Sequence, residues 1–261
     1  MTKNEKKFTA ELEIFRSEAQ AGAQFLYGYL SFNSIVSEKK KTLHAVNRTP
    51  FFWNTTMGAY QTSFFIVLGR IFDQKSPHNI DRLLKVAQEN IEIFSKASLE
   101  KRKRAESDNA HEWIGDYIKS VYEPKAKDFR ALRKKVNDHR SIYKANYSDI
   151  RHKIYAHKEI TDSEEVQKLF SNTNIRELQK VFVFVNALYE ALWQLFYNGR
   201  KPILRRMRYS VKSMRKARKP EWQIQTVQER MVAEVEDCLN HLANNAKQVV
   251  QPRRAKKWRA S

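Results

Sequence analysis

Apolar residues along this chain recur mainly at steps of three and four, the period of an amphipathic α-helix. The clearest run predicts a long first helix, with apolar positions Phe8, Leu12, Phe15, Ala19, Ala23, Leu26 and Leu30. Pro50 suits the first turn of another helix, and few charges interrupt the stretch from Phe51 to Phe72. We therefore expect this helix to be central and mostly buried. The sequence of residues 73–78 (Asp-Gln-Lys-Ser-Pro-His) then breaks it.

Helical signals continue through the middle of the chain. Asn79 is a suitable cap for the next helix. Residues 96–107 are highly charged and are predicted to form a loop or a solvated helix end. From Asp108 a long helical region extends to about His157, and Pro124 is expected to kink or divide it.

The last strong helix is predicted over Ile175–Tyr197, with Asn174 as its cap and Asn198-Gly199 as its end. No internal repeat is visible, and Gly and Pro number only six each, which argues against a many-stranded sandwich or barrel. The expected fold class is therefore all-α. The predicted organisation is a helical bundle over residues 1–199, followed by a basic C-terminal extension over 200–261 with a helix near 224–247.

The composition also indicates the cellular compartment in which the protein works. The single cysteine, Cys238, excludes an internal disulfide framework and a multi-cysteine zinc site, which fits a reducing environment. Residues 1–15 contain no apolar signal core. The most apolar stretch, residues 181–196, is interrupted by polar side chains and is shorter than the roughly 20 apolar residues of a membrane span. We expect a cytoplasmic protein with no membrane association.

The charge is strongly positive and unevenly placed. Lys and Arg total 49 against 29 acidic residues, a formal net charge of +20, and residues 200–219 contain ten basic and no acidic residues. Such a block favours a polyanionic partner, nucleic acid before a membrane surface, because contacts with phosphates release condensed counterions. The alternative is a disordered, solvated tail. Trp222 and Trp258, which lie among basic residues, are candidates for stacking on nucleobases.

One segment combines residue types that suit phosphodiester chemistry: Asp149-Ile-Arg151-His152-Lys-Ile-Tyr-Ala-His157-Lys158. Arginine offers a permanent fork of donors for phosphate, and histidine exchanges protons near neutral pH. On an ideal α-helix, however, Arg151 and His157 would lie about 120° apart around the axis and roughly 9 Å apart along it. They would converge on one phosphate only with a helix end near His157, or with two chains contributing across an interface.

These residues resemble the signature of the HEPN superfamily. Arg151, the polar His152, a four-residue spacer and His157 match its pattern of arginine, polar residue, spacer and histidine. Residues 63–85 (SFFIVLGRIFDQKSPHNIDRLLK) also resemble the second helix and turn of its abortive-infection, phage-resistance branch. The resemblance covers residues 5–200 or so. It implies a compact helical bundle that is usually dimeric, with the two copies of the motif facing each other in a cleft. It also implies an activity found in many members of the superfamily, metal-independent cleavage of RNA that leaves a 2′,3′-cyclic phosphate.

Carried over by this resemblance, Arg151 would bind and stabilise the phosphate, His157 would be the general acid/base, and His152 would orient them or touch RNA. No cofactor and no metal are expected. Expected partners are RNA and a second copy of the chain. The candidate RNA-binding residues, from the motif and from the basic block, are Tyr155, Lys158, Arg205, Arg206, Arg208, Lys212, Arg215 and Lys216.

Several alternatives stay open at this point. The protein could be a non-catalytic RNA-binding or scaffold module, or a toxin controlled by an antitoxin or a nucleotidyltransferase partner. Arg151 could simply pair with Asp149 or Glu159, and Tyr155 could pack in the core instead of stacking on a base. Arg70 and Asp73, three residues apart, are most simply a local ion pair.

Overall fold

The computed structural model describes residues 1–157, 159–160, 162–218, 220, 223 and 225–245. No β-strand occurs in these ranges, so the predicted all-α class is confirmed. The α-helices are α1 (Lys3–Glu38), α2 (Lys40–Val46), α3 (Pro50–Phe72), α4 (Ile80–Glu89), α5 (Lys96–Glu106), α6 (Ala110–Lys119), α7 (Ala126–Asn146), α8 (Ser163–Ser171), α9 (Ile175–Asn198), α10 (Val211–Lys216) and α11 (Val227–Asn245). A 3₁₀ turn covers Ile91–Phe94 and a π-helix covers Ile150–Ala156.

The bundle is built around α1, against which α3, α4, α9 and α11 all pack. The predicted apolar stripe explains this position, because all but one of its residues are buried while the final one, Leu30, packs at the edge of the core. Thr2 caps the helix in a capping box with Glu5. Glu5 also forms a buried ion pair with Arg102 of α5 (2.5 Å), and this pair ties the amino terminus to the bundle.

Helix α3 is only half buried, which corrects the expectation of a buried helix from Phe51 to Phe72. Its carboxyl-terminal half enters the core, but Phe51 is 86% and Phe52 60% exposed. On the inner face of this first half, Trp53 and Met57 pack against a small cluster formed by α1, α2 and α11. The absence of charged residues in a helical stretch therefore does not show that the helix is buried, because an exposed face can also be uncharged.

Two other expectations change. Residues 96–106 form a true helix rather than a loop or solvated end, because Leu99 and Arg102 give α5 a buried side. The helical region predicted from residue 108 to 157 divides near Pro124, as expected, but it also breaks after Asn146, so that α6, α7 and the π-helix are separate elements. The predicted helix near 224–247 corresponds to α11 within the described residues.

The described part of the C-terminal extension packs directly on the bundle. Val211, Met214 and Val232 belong to the main core, and Leu239 joins the small cluster with Phe32 of α1. Residues 199–210, which connect α9 to α10, form neither helix nor strand. The division of the chain at residue 199 stays a prediction, but the helices beyond it share a core with α1. No helix in the described part of the chain is long and apolar enough to cross a membrane.

Candidate active site

The motif lies in the π-helix that follows α7. The Arg151 amide still bonds back four residues to Tyr147 (3.0 Å), whereas the His157 amide bonds back five residues to the His152 carbonyl (2.9 Å). This wider turn places the His152 and His157 rings nearly parallel, with centroids 6.2 Å apart. The separation expected for an ideal α-helix therefore does not apply. Such π turns are rare and occur often at functional sites.

Arg151 and His152 are in direct contact. Nη1 of Arg151 lies 2.7 Å from Nε2 of His152, and Nδ1 of His152 lies 2.9 Å from the Ser148 carbonyl. Because a guanidinium only donates and a carbonyl only accepts, Nε2 must be the acceptor and Nδ1 must carry the proton. His152 is thus held as the neutral Nδ1–H tautomer in this arrangement, and it orients the arginine.

Asp73 completes the cluster, and the sequence analysis did not assign it to the site. Its Oδ2 lies 3.3 Å from Nη1 of Arg151 and 3.8 Å from Nε2 of His152. The expected local pair between Arg70 and Asp73 is wrong, because Arg70 pairs with Glu18 of α1 (3.0 Å). The reason is that Asp73 caps the end of α3 in an extended conformation, which turns its carboxylate towards the motif.

Tyr143 of α7 holds this carboxylate in place. Its hydroxyl donates to Oδ1 of Asp73 (3.3 Å), and its ring stacks on Phe72 at 5.6 Å. Burial raises the pKa of the Tyr143 hydroxyl, with the Asp73 charge adding to the effect, so the hydroxyl stays protonated and remains a donor. A buried tyrosine and a helix end thereby position the acidic partner of Arg151.

Gly69 makes room for Arg151. A Cβ atom at this position would lie 2.5 Å from Nε of Arg151, closer than Cβ atoms approach in folded proteins, and 3.1 Å from its Cδ. The side chain of Arg151 is only 20% exposed, and its Nε is buried without a hydrogen-bond partner. The arginine therefore lies flat against the backbone of α3, and its contacts with Asp73 and His152 both use Nη1.

A family model described as AbiU2 (HEPN_AbiU2) matches residues 5–219, which is most of the chain and includes the whole cluster. The chain belongs to the AbiU2 family of HEPN proteins. The resemblance drawn from Arg151, His152 and His157 to the abortive-infection branch is thus confirmed, and the family match extends beyond residue 199 into the basic block. No curated protein and no solved structure matches the chain.

The other motif residues of the AbiU2 chain have different surroundings. His157 is exposed at the end of the π-helix. Tyr155 stacks on Phe65 of α3 (5.2 Å, 19° between the planes), and burial raises its pKa to about 12. This ring packs against the core, which is the alternative that the sequence left open for Tyr155. Lys158, Trp222 and Trp258 lie outside the described residues.

The candidate cations of the basic block divide into two groups. Arg208 pairs with Glu229 (3.2 Å), and Arg215 pairs with both Glu38 (2.7 Å) and Glu236 (2.9 Å). These arginines fasten the segment to α1 and α11. The exposed side chains of a second set have no ion pair with any residue that the structure describes; they are Arg205, Arg206, Lys212 and Lys216.

The cluster offers a fixed cation and an exposed histidine, and no three His, Cys, Asp or Glu side chains gather as metal ligands within the described ranges. Arg151 is permanently charged, so it can neutralise a phosphate oxygen without a change of protonation state. His157 is free of the core and can approach a substrate. These two groups suit proton transfer and charge stabilisation at a phosphodiester.

Proposed function

We propose that this AbiU2 protein is a metal-independent endoribonuclease that acts as a toxin or phage-defence effector. The observation that carries the proposal is the cluster of Arg151, His152 and Asp73, with His157 brought alongside by the π-helix. Membership of the abortive-infection branch of the HEPN superfamily supports it. The basic segment after α9 supports RNA as the substrate, because its unpaired cations suit a polyanion.

In the proposed reaction His157 takes the proton from the ribose 2′-hydroxyl. The O2′–P bond forms as the P–O5′ bond breaks, and the departing O5′ takes up a proton that the protonated histidine can return. The products are a 2′,3′-cyclic phosphate and a 5′-hydroxyl. Arg151 stabilises the charge that grows on the phosphate oxygens, an effect that is usually large in such reactions. His152 and Asp73 hold the guanidinium in place for this role.

A second copy of the chain is part of the proposal, with the active site at a homodimer interface. The exposed end of the π-helix at His157 supports it, because both RNA and a facing motif can reach this point. Each chain already assembles Arg151, His152 and Asp73 from its own residues. The dimer would therefore serve to shape a shared cleft rather than to complete a divided cluster.

The direct test is cleavage of mixed RNA in EDTA by the wild type and by Arg151→Ala and His157→Ala, with analysis of the product ends. We expect cyclic-phosphate ends from the wild type and none from either variant. His111→Ala is a matched control, because His111 is an exposed histidine on α6. Full cleavage by a purified His157→Ala protein would contradict the mechanism, and RNA binding without cleavage by the wild type would favour a non-catalytic RNA-binding module.

A further inference from the structure

The segment after α9 forms a groove together with that helix. Gly199, in the left-handed conformation (φ 55°), ends α9 and reverses the chain, so that residues 200–210 run back along the helix. Two adjoining depressions of about 220 and 300 Å³ lie along this segment and share Ala187, Arg205 and Met207 in their walls. We call this surface the α9 groove; it is lined by Lys180, Phe184, Glu190, Arg200, Lys201 and Arg205, with their neighbours.

The charge of the groove is strongly positive and is not neutralised. Its walls carry the exposed cations Lys180, Arg200, Lys201, Arg205 and Arg206, none of which has an ion pair with a described residue. The single carboxylate there, Glu190, accepts a hydrogen bond from the Gln194 amide (2.8 Å). Further along the same segment, by contrast, Arg208 and Arg215 are paired with acidic residues. The α9 groove therefore carries five exposed cations without an ion pair to any described residue, which suits a row of phosphates.

The groove also offers apolar and aromatic surface. Its floor includes Val183, Phe184 and Met207. Ile203 and Tyr209 on its rim are 60% and 36% exposed, and the Lys180 ammonium lies 5.8 Å from the centre of the Tyr209 ring. Cations alternating with an exposed aromatic ring are typical of single-strand binding, where phosphates meet the charges and bases stack on the ring. A duplex presents no free base faces to such a surface.

The near end of the groove lies on α9 a short distance from the motif. The carbonyl of the α9 cap residue Asn174 accepts a hydrogen bond from the Tyr147 hydroxyl (2.8 Å), Tyr147 lies four residues before Arg151, and Lys180 lies six residues beyond Asn174. The groove runs from Lys180 to Gln194, which corresponds to about 21 Å of helix. At roughly 3.4 Å per stacked nucleotide this length holds about six nucleotides.

We propose that the α9 groove binds the single-stranded part of the RNA substrate and directs it towards the Arg151 cluster. This inference rests on the proposed function for the choice of RNA, but it names a separate binding surface and a strand type. Phosphates contact Arg205, Arg206 and Lys180, and a base stacks on Tyr209.

The test measures equilibrium binding by full-length protein carrying His157→Ala, so that cleavage does not interfere. The probes are a short unstructured RNA labelled for fluorescence anisotropy and the same sequence as a duplex. We expect Arg205→Ala/Arg206→Ala to weaken single-strand binding by at least about tenfold. The slope of log affinity against log salt should become shallower by about 1.4, as expected for two lost phosphate contacts. Lys40→Ala/Lys41→Ala removes two exposed lysines of α2 and should bind as the parent does.

Tyr209 supplies a second, independent readout. Tyr209→Ala should weaken single-strand binding by about fivefold or more, while Tyr209→Phe keeps the ring and should restore it. Thermal unfolding of each variant confirms that the fold is kept. Two results would overturn the proposal that the groove binds single-stranded RNA. One is tighter binding of the duplex than of the single strand, and the other is an equal loss of affinity in the Arg205→Ala/Arg206→Ala and Lys40→Ala/Lys41→Ala proteins. If the wild type never cleaves RNA but these binding results hold, the proposed catalysis fails and the groove stands.

Discussion

Gly69→Ala gives the sharpest test of the cluster, because it displaces Arg151 without removing any polar group. The new Cβ would lie 2.5 Å from Nε of Arg151, whereas ordinary contacts begin near 3.4 Å, so the guanidinium must move by about 0.9 Å. Directed away from His152, a shift of that size lengthens the present 2.7 Å contact between Nη1 and Nε2 to about 3.6 Å, beyond hydrogen-bonding distance. Misplacement of a catalytic group by about 1 Å can cost 10²-fold in rate, so we expect cleavage to fall about 100-fold.

The same substitution should leave the fold nearly as stable as before. Alanine inside a helix is favoured over glycine by roughly 0.5–1 kcal/mol, which offsets part of the loss of the pair between Arg151 and Asp73. Gly58→Ala is the matched control, since it lies on the same helix and nothing is within 4 Å of its added Cβ. We expect Gly58→Ala to cleave like the wild type and to be more stable by up to about 1 kcal/mol.

The assay pairs a fluorogenic RNA cleaved in EDTA with urea unfolding of each variant. The expected pattern is a loss of activity in Gly69→Ala with a change in unfolding free energy within about 1 kcal/mol. If Gly69→Ala cleaved RNA as fast as Gly58→Ala while Arg151→Ala was inactive, the close packing of Arg151 on α3 would have no catalytic role. That result would refute the reasoning that connects the backbone of α3 to the position of the guanidinium.

Four further outcomes follow from the structure. Asp73→Asn should lower kcat about tenfold and destabilise the fold by about 1–2 kcal/mol, because it removes the charge that faces Arg151; kinetics and urea unfolding measure both, and unchanged kcat would exclude a positioning role. His139 stacks on Phe184, and burial lowers its pKa below the usual 6.5. Below pH 6.5 the unfolded chain therefore binds more protons at this residue than the folded protein does. The wild type should therefore lose unfolding free energy between pH 7 and 5.5, and His139→Phe should lose less. Truncation after residue 210 should lower the urea midpoint strongly, since it removes core residues such as Val232 at roughly 1.5–3 kcal/mol each; an unchanged midpoint would show that the bundle folds without α10 and α11. Light scattering should give about twice the 30.9 kDa chain mass, and a monomer at assay concentration would contradict the shared cleft.

Helices and caps were the predictable part of this fold, since they depend on local sequence. Asn79 and Asn174 were expected as caps, and both side chains accept amide hydrogen bonds at the starts of α4 and α9. The long stripe of α1 was predicted because burial of one face repeats every three or four residues. Exposure was harder to predict, as Phe51 shows, because an apolar side chain does not reveal which neighbouring helix is near enough to cover it.

The site itself was only partly predictable. The sequence identified Arg151, His152 and His157 because they are close together along the chain. It did not predict their relative positions, because no residue type in the segment signals a π turn. Asp73 was missed because its partner lies 78 residues further along the chain, and a contact of that kind exists only after α3 and the π-helix have packed together. Its sequence neighbour Arg70 offered a simpler local pair, which the fold replaces with Glu18.

For the basic block as well, the sequence alone does not tell which cations are neutralised by acidic residues in the folded protein. Along the sequence its cations are equivalent, and net charge alone assigns all of them to RNA. Once α11 lies against α1, the carboxylates of Glu38 and Glu236 neutralise Arg215, so that this cation stabilises the fold instead. Arg205 and Arg206 have no ion pair with a described residue and line the α9 groove, and the start of α9 lies beside Tyr147, four residues before Arg151. Affinity for RNA should therefore depend on where acidic residues are absent in three dimensions, and only a minority of the basic side chains should carry it.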